Sequence, residues 1–289
     1  MKSQAAQRRL RLPVVWDSVD CISFLFRQAA RSGRQWSKRL VTRFELRRTE
    51  KYESYLLRQF RHVLISSPVD RQLLLSLLPA GDLQAPAVSV IPIGVDSGYF
   101  RPNPEVSRLP ATLVISGKMS YHANVAMVSY LIEEIMPRIW ARRNDVRVVV
   151  VGKDPPRKLS ALGRDRRVCI TGTVKDVRPY LQSATLAVAP VIYGAGMQSK
   201  LLEAMACATP VVTTPLAIRA LEGEPRRHLV VAEKADDFAE AVLRLLQHSS
   251  LREMIGRSGR EYVVGTYAWV RVARRLADVY AEAVSQAAG

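Results

Sequence analysis

Two periodicities alternate along the chain. Short runs of β-branched and aliphatic residues recur at Pro13–Trp16, Val63–Ser66, Val88–Ile91, Thr112–Ile115, Arg147–Val151, Val168–Ile170, Thr185–Ala189, Pro210–Thr213 and Leu229–Val231. Apolar residues follow one another without a polar partner face, which predicts parallel strands covered on both sides. Between them lie stretches with helical spacing, at Ala123–Ala141, Pro156–Gly163, Val177–Ala184, Gln198–Cys207 and Asp236–Gln247. Strand and helix in alternation predict an α/β, doubly wound architecture. From Leu251 to Ala287 the chain reads as helical throughout, with Ile255, Tyr262, Val263, Tyr267, Trp269, Val272, Leu276, Val279 and Tyr280 forming a packing stripe.

One stretch interrupts the alternation. Pro92–Pro110 holds four prolines and two glycines, the composition of a connector between domains. Six predicted strands follow it and three precede it. Three parallel strands with one long helix enclose little core, so the first unit reads as an incomplete domain. The boundaries predicted are a partial first domain over 1–92, a linker over 93–110, a complete second domain over 111–265, and a terminal helix over 266–289 that packs back on the first domain.

Composition narrows the class. With 48% hydrophobic and 24% charged residues, the chain has the balance of a soluble globular protein. No apolar run reaches the ~18 residues of a membrane-spanning helix, and the basic start has no apolar segment of signal-peptide length. A cytoplasmic location is expected. Cys21, Cys169 and Cys207 lie far apart without a CxxC pair and read as small buried residues. The four histidines are scattered too, so no metal site is expected.

Charge is the unusual feature: 43 Lys and Arg against 26 Asp and Glu give +17. Much of the excess lies between Arg27 and Arg61, at Arg31, Arg34, Lys38, Arg39, Arg43, Arg47, Arg48, Lys51 and Arg58. The plain reading is a solvated helix face. The next is contact with anionic lipid headgroups, which would make the protein peripheral to the inner face of a membrane. Nucleic acid ranks third, because few aromatics interleave the cations and no recognition module is present.

The segment carrying chemistry is Pro190–Val212, PVIYGAGMQSKLLEAMACATPVV. It reads as strand, glycine turn, helix and proline-led strand. Gly194 and Gly196 permit a sharp turn and a close approach to a ligand. The helix starts near Met197, so its free N–H groups and positive dipole end face the space above the strand. At the carboxyl edge of a parallel sheet that space suits a phosphate. Glu203, about two turns into the helix, can face the same cleft and accept both hydroxyls of a ribose.

This segment resembles the second-domain signature of family 4 glycosyltransferases, E-G-F-G-x-x-x-x-E-A-M-A followed by P-V-V. Glu203 matches the second glutamate, the ribose binder. Where the first glutamate sits, this chain has Ala195, and its GAG-x-Q-x-K form resembles a branch of exopolysaccharide sugar transferases. The resemblance implies that the backbone around Ala195, Gly196, Met197 and Gln198, with Gly194, grips the sugar and diphosphate. Ile93–Asp96 followed by Phe100 resembles the element joining the two halves. Ser116-Gly117-Lys118 resembles the turn after the first strand of the donor domain, which makes Lys118 the basic residue on the leaving diphosphate. A second cation of that loop has no match, and Lys200 is the remaining candidate. Gly152 matches a V-x-G turn, and Gly172-Thr173-Val174 resembles the loop that reads the base.

The resemblance therefore implies a GT-B-like fold, with a complete C-terminal Rossmann-like domain and an incomplete N-terminal one. It implies transfer of a sugar from a nucleotide-diphosphate sugar, with uracil or guanine as base, to a glycan or lipid-linked acceptor in polysaccharide biosynthesis. Retention of configuration and independence of metal ions and cofactors belong to the same expectation, and no D-x-D occurs in the chain. Lys118 and Glu203 are the catalytic candidates. The family has a fuller first domain, so the chain is expected to be N-terminally truncated, or one half of a split enzyme completed by a second chain. A catalytically incompetent donor-binding subunit is the first alternative. A basic nucleic-acid-binding protein is the second, and it leaves Gly194–Glu203 unexplained.

Overall fold

The computed structural model describes residues 13–24, 26, 27, 36–79, 81, 82, 85–194 and 196–288, with backbone alone for 36–42 and 288. Among these, nine strands form two wholly parallel sheets, at the nine predicted places. The first sheet contains β1 (Val15–Val19), β2 (His62–Ile65) and β3 (Ala87–Val90), in the order β1-β2-β3. The long helix α1 (Trp36–Gln59) and α2 (Pro68–Leu75) connect them. Cys21, Leu57, Val63, Ile65, Leu74 and Val88 make a small core of their own.

The second sheet carries the main core. Its strands are β4 (Thr112–Ser116), β5 (Arg147–Val151), β6 (Val168–Gly172), β7 (Leu186–Ala189), β8 (Val211–Thr213) and β9 (Val230–Val231). They lie in the order β6-β5-β4-β7-β8-β9. β4 and β7 are buried at every position, as central strands covered on both faces must be. β6 is an edge strand, and there Cys169 turns to solvent. Only Cys21 and Cys207 are the buried residues that the sequence predicts.

Helices cover both faces. α3 (His122–Tyr130) passes through a wider π turn at Leu131–Ile135 into α4 (Met136–Trp140). Pro137 has no N–H and its ring crowds the preceding turn, and a π turn just before it relieves that conflict. The following helices are α5 (Arg157–Leu162), α6 (Arg178–Ser183), α7 (Ser199–Ala206), α8 (Pro215–Ile218), α9 (Ala235–Gln247), α10 (Ser249–Tyr267) and α11 (Trp269–Ala288). No helix among the described residues is long and apolar enough to cross a membrane.

The tail is not helical throughout. It breaks at Ala268, whose ψ of 135° is extended, and Ala268 makes an isolated parallel bridge with Val95 of the connector. Val95 N–H donates to the Tyr267 carbonyl at 2.8 Å, and Trp269 N–H donates to the Val95 carbonyl at 3.1 Å. The Trp269 ring lies over Gly94, where a Cβ would sit 2.6 Å from it. Two members of the predicted stripe remain largely outside the core: Trp269 is 52% and Tyr280 47% exposed. Past the break, Arg275 donates to the Val90 carbonyl at 3.1 Å and pairs with Glu222 at 2.9 Å, joining the first sheet to the second. The connector is fixed at its other end by Arg108, which donates to the carbonyls of Ala184 and Ala208 at 2.6 and 2.8 Å.

Candidate functional site

In the second sheet the chain runs outward from β4 to β5 and β6, then returns to β7 on the other side of β4. The loops leaving β4 and β7 therefore depart to opposite sides and open a crevice at the carboxyl edge. Both are the loops with the predicted chemistry. Gly117 follows β4 with φ +153°, and Gly194 and Gly196 follow β7 with φ +135° and +75°. The loops touch: His122 packs edge-on against Tyr193 at 5.4 Å, and a Cβ on Gly194 would lie 4.0 Å from that of Ala123.

The β4 loop is held from below. Gly117 N–H donates to the Val151 carbonyl at 3.0 Å and Met119 N–H to that of Lys153 at 2.8 Å. Buried Asn124 donates from Nδ2 to the Lys118 carbonyl at 2.9 Å. Lys118 itself is exposed, on a loop whose backbone is fixed.

The β7 loop leads into α7, which begins at Ser199 rather than Gln198. No side chain caps it: Gln198 is the N-cap without a capping hydrogen bond. A helix of eight residues with an uncapped start beside two left-handed glycines is suited to an anion. Met197 is the member of the turn that packs inward. Its side chain is buried in the core, so only its backbone faces the loop. Ala195 lies outside the described residues.

Lys200 and Glu203 sit one turn apart on α7, and Glu203 is its fifth residue, a little over one turn in rather than two. Both are half-buried. Burial holds the Lys200 ammonium down to about 8, against the opposing pull of the Glu203 charge. Burial likewise raises Glu203, and Lys200 offsets part of that rise. Lys200 Nζ donates to Gln198 Oε1 at 2.7 Å. The ammonium thus lies at the helix start.

Gly172 ends β6 on the same carboxyl edge, at φ +69°, and a Cβ added there would meet nothing within 4 Å. Beside it Thr173 is exposed, while Val174 packs on the core. Among the described residues no group of three or more His, Cys, Asp or Glu is placed to hold a metal ion.

Several neighbours of these loops escape sequence reasoning. Gly194, Gly196 and Gln198 face the first unit across a crevice also lined by Phe24, Asp70 and Arg219. Its volume is about 20 Å³, room for little more than a water molecule. Arg219, just past α8, brings a cation to this crevice, and His122 with Tyr193 joins the two loops. Asp20, beyond β1, reaches Gly196 itself. Tyr193 lies in the quoted Pro190–Val212 segment, but its contact, like those of Asp20, His122 and Arg219, depends on how distant loops meet.

The second unit resembles known proteins. The family model described as "Glycosyl transferases group 1" matches residues 110–248. The chain carries a glycosyl transferases group 1 domain. That span holds β4 to α9, including both glycine loops. The chain is 31% identical over 199 residues to a phosphatidyl-myo-inositol mannosyltransferase of Mycobacterium leprae, covering 66% of the chain and 52% of that relative. It thus spans about half the length of that curated relative. Among solved structures, WaaG, a glycosyltransferase involved in lipopolysaccharide biosynthesis, superposes with a TM-score of 0.69 at 17% identity, covering 96% of the chain and 80% of WaaG. Anabaena HepE in complex with UDP-glucose gives 0.69 at 14% identity, covering 96% and 74%. The fold is accordingly GT-B, with two Rossmann-like units and the group 1 domain as the second.

Proposed function

We propose that the chain is a glycosyltransferase that binds a nucleotide-diphosphate sugar at the carboxyl edge of its second sheet and transfers the sugar to a glycan or lipid-linked acceptor. One observation carries the reading: the glycine turn and uncapped start of α7 lie beside the Gly117–Lys118 loop at the point where strand order reverses. Two glycine-bearing loops meet there, one carrying Lys118 and the other leading into an uncapped helix start, a pairing suited to a phosphate.

Breaking the sugar–diphosphate bond leaves negative charge on the departing phosphate. Preorganised donors stabilise that charge best, because they need not reorient as it grows. Lys118, Lys200 and the amides entering α7 serve this role, and Glu203 accepts the ribose hydroxyls. Gly172-Thr173-Val174, with open space above Gly172, borders the base. The chemistry proceeds with retention and without a metal ion or cofactor, in polysaccharide biosynthesis. The reading requires the two sheets to separate to admit the donor and then to close on it, since the crevice between them holds about 20 Å³.

The first unit faces the acceptor. Exposed Arg43, Arg47, Arg48, Lys51 and Arg58 on α1 stand beside exposed Phe44, Tyr52 and Tyr55, a face suited to an anionic membrane that holds a lipid-linked acceptor. Arg31 and Arg34 lie outside the described residues, and Lys38 and Arg39 are described in backbone alone. The three-stranded first sheet also favours a second reading, in which the chain binds donor but relies on another polypeptide to complete the acceptor side.

Thermal-shift titration against nucleoside diphosphates and their sugars tests the common part of both readings. Wild-type chain should be stabilised, Glu203→Ala should lose the shift, and Lys118→Ala should weaken diphosphates more than the free nucleoside. If no nucleotide stabilises the wild type, the donor reading fails. Transfer by the single purified chain separates the first reading from the second.

A further inference from the structure

β1 ends in a strained residue. Val19 stands at φ +61°, a left-handed conformation that a β-branched side chain avoids, and the β1–β2 register shifts between Asp17 and Val19. The next residues are fixed by acceptors from other elements. Buried Glu53 of α1 accepts from Ile22 N–H at 2.7 Å and Ser23 N–H at 3.3 Å, and buried Asp70 of α2 accepts from Cys21 N–H at 3.4 Å. Ser66 Oγ–H donates to Asp20 Oδ1 at 3.0 Å. The outcome is a carboxylate held directly against the glycine turn: a Cβ added to Gly196 would lie 2.8 Å from Asp20 Oδ1 and 3.1 Å from Oδ2.

That placement selects a ligand chemistry. A carboxylate and a diphosphate repel, so Asp20 does not share the phosphate. Hydroxyl groups donate to carboxylates, and the transferred sugar, bonded directly to the phosphate that the turn holds, is the hydroxyl-bearing group next along the ligand. On the turn itself residue 195 is alanine, which has no side-chain acceptor. Burial raises the Asp20 carboxyl and the Ser66 hydroxyl offsets part of the rise, so further donors would stabilise its charged form.

We propose that Asp20 is the residue of the first sheet that recognises the transferred sugar, its carboxylate accepting hydrogen bonds from the sugar hydroxyls when the crevice closes on the donor. This rests on the donor reading above and adds to it a specificity-determining side chain from the opposite sheet.

Calorimetric titration of the full chain with UDP, UDP-glucose, GDP and GDP-mannose tests it, using the nucleotide pair that the wild type binds. Asp20→Ala should lower affinity for the nucleotide sugar by roughly tenfold or more, the loss of a hydrogen bond to a charged group, and leave the nucleoside diphosphate within about twofold. Asp20→Asn should lose less, because its amide carbonyl still accepts. Three results overturn the proposal: equal losses for both ligands, no loss for either, or a gain for both, which would mark Asp20 as a plug. Should Asp20→Ala fail to fold, Ser66→Ala decides, since it leaves the charge but frees the carboxylate. A loss confined to the sugar ligand supports the proposal, and unchanged discrimination refutes it. Wild-type chain binding no nucleotide would refute the donor reading itself.

Discussion

Gly152→Ala is the sharpest perturbation the site offers, because it adds one methyl group and changes no charge. Gly152 follows β5 and lies directly under the β4 loop. A Cβ there would sit 1.7 Å from the Gly117 carbonyl oxygen and 3.1 Å from Met119 Cγ. The obstacle is backbone, which no rotamer change can move aside. Restoring ordinary contact separates the loops by about 1.5 Å, taking ~3.2 Å as a normal carbon–oxygen approach. Such a shift breaks the Gly117-to-Val151 and Met119-to-Lys153 hydrogen bonds, now 3.0 and 2.8 Å. Two net hydrogen bonds at about 0.5–1.5 kcal/mol each, with roughly 1–3 kcal/mol of overpacking, give a destabilisation of about 2–6 kcal/mol. For a protein of this size the midpoint of that range corresponds to a fall in Tm of roughly 8–16 °C. Urea and thermal unfolding followed by circular dichroism measure the stability. Titration at low temperature, where the variant remains folded, measures the second consequence: displaced Lys118 should weaken nucleoside diphosphate binding while leaving the contribution of Glu203 on α7. A variant that melts within about 2 °C of wild type and binds equally well would refute the packing argument and the role given to this loop.

Two other predictions concern charge. The Lys200 ammonium is held down to about 8 in the folded chain, whereas in the unfolded chain it stays protonated to about 10.5. The unfolded state therefore binds more protons between those values, and stability gained from this group rises as pH increases from about 8 to 10.5, by at most about 3 kcal/mol. Lys200→Met should remove that rise, which denaturation midpoints across the range will show; identical pH profiles for variant and wild type would contradict it. Arg275→Met removes the pair with Glu222 and the bond to the Val90 carbonyl, which together join α11 to both sheets. Because the arginine is over a third exposed, solvent screens the pair, and a loss of about 1–2 kcal/mol in urea unfolding is expected. An unchanged midpoint would show that the two sheets are held together elsewhere.

Much of the molecule is written in local pattern. Consecutive β-branched residues specify buried strands because each face of the strand needs apolar cover, so the nine strands among the described residues are legible as runs. Gly117, Gly194 and Gly196 mark turns because their left-handed φ values exclude other residues, and an uncapped helix start follows them in the chain. Other features have no local mark. Cys169 looks like its buried neighbours until β6 proves to be an edge strand. Ala268 has an unremarkable helical sequence around it, and the helix breaks there because the connector offers Val95 as a bonding partner.

The sequence by itself thus determined which segments are strands, where the chain turns, and which loop carries two glycines ahead of a helix, since propensity and φ are properties of a residue and its neighbours. Only the tertiary structure decided what faces that loop. The order of strands in the sheet places β4 beside β7 and so brings their loops together, and the meeting of two sheets sets Asp20 against Gly196. Contacts of this kind arise from the packing of remote elements, whose geometry no local pattern encodes.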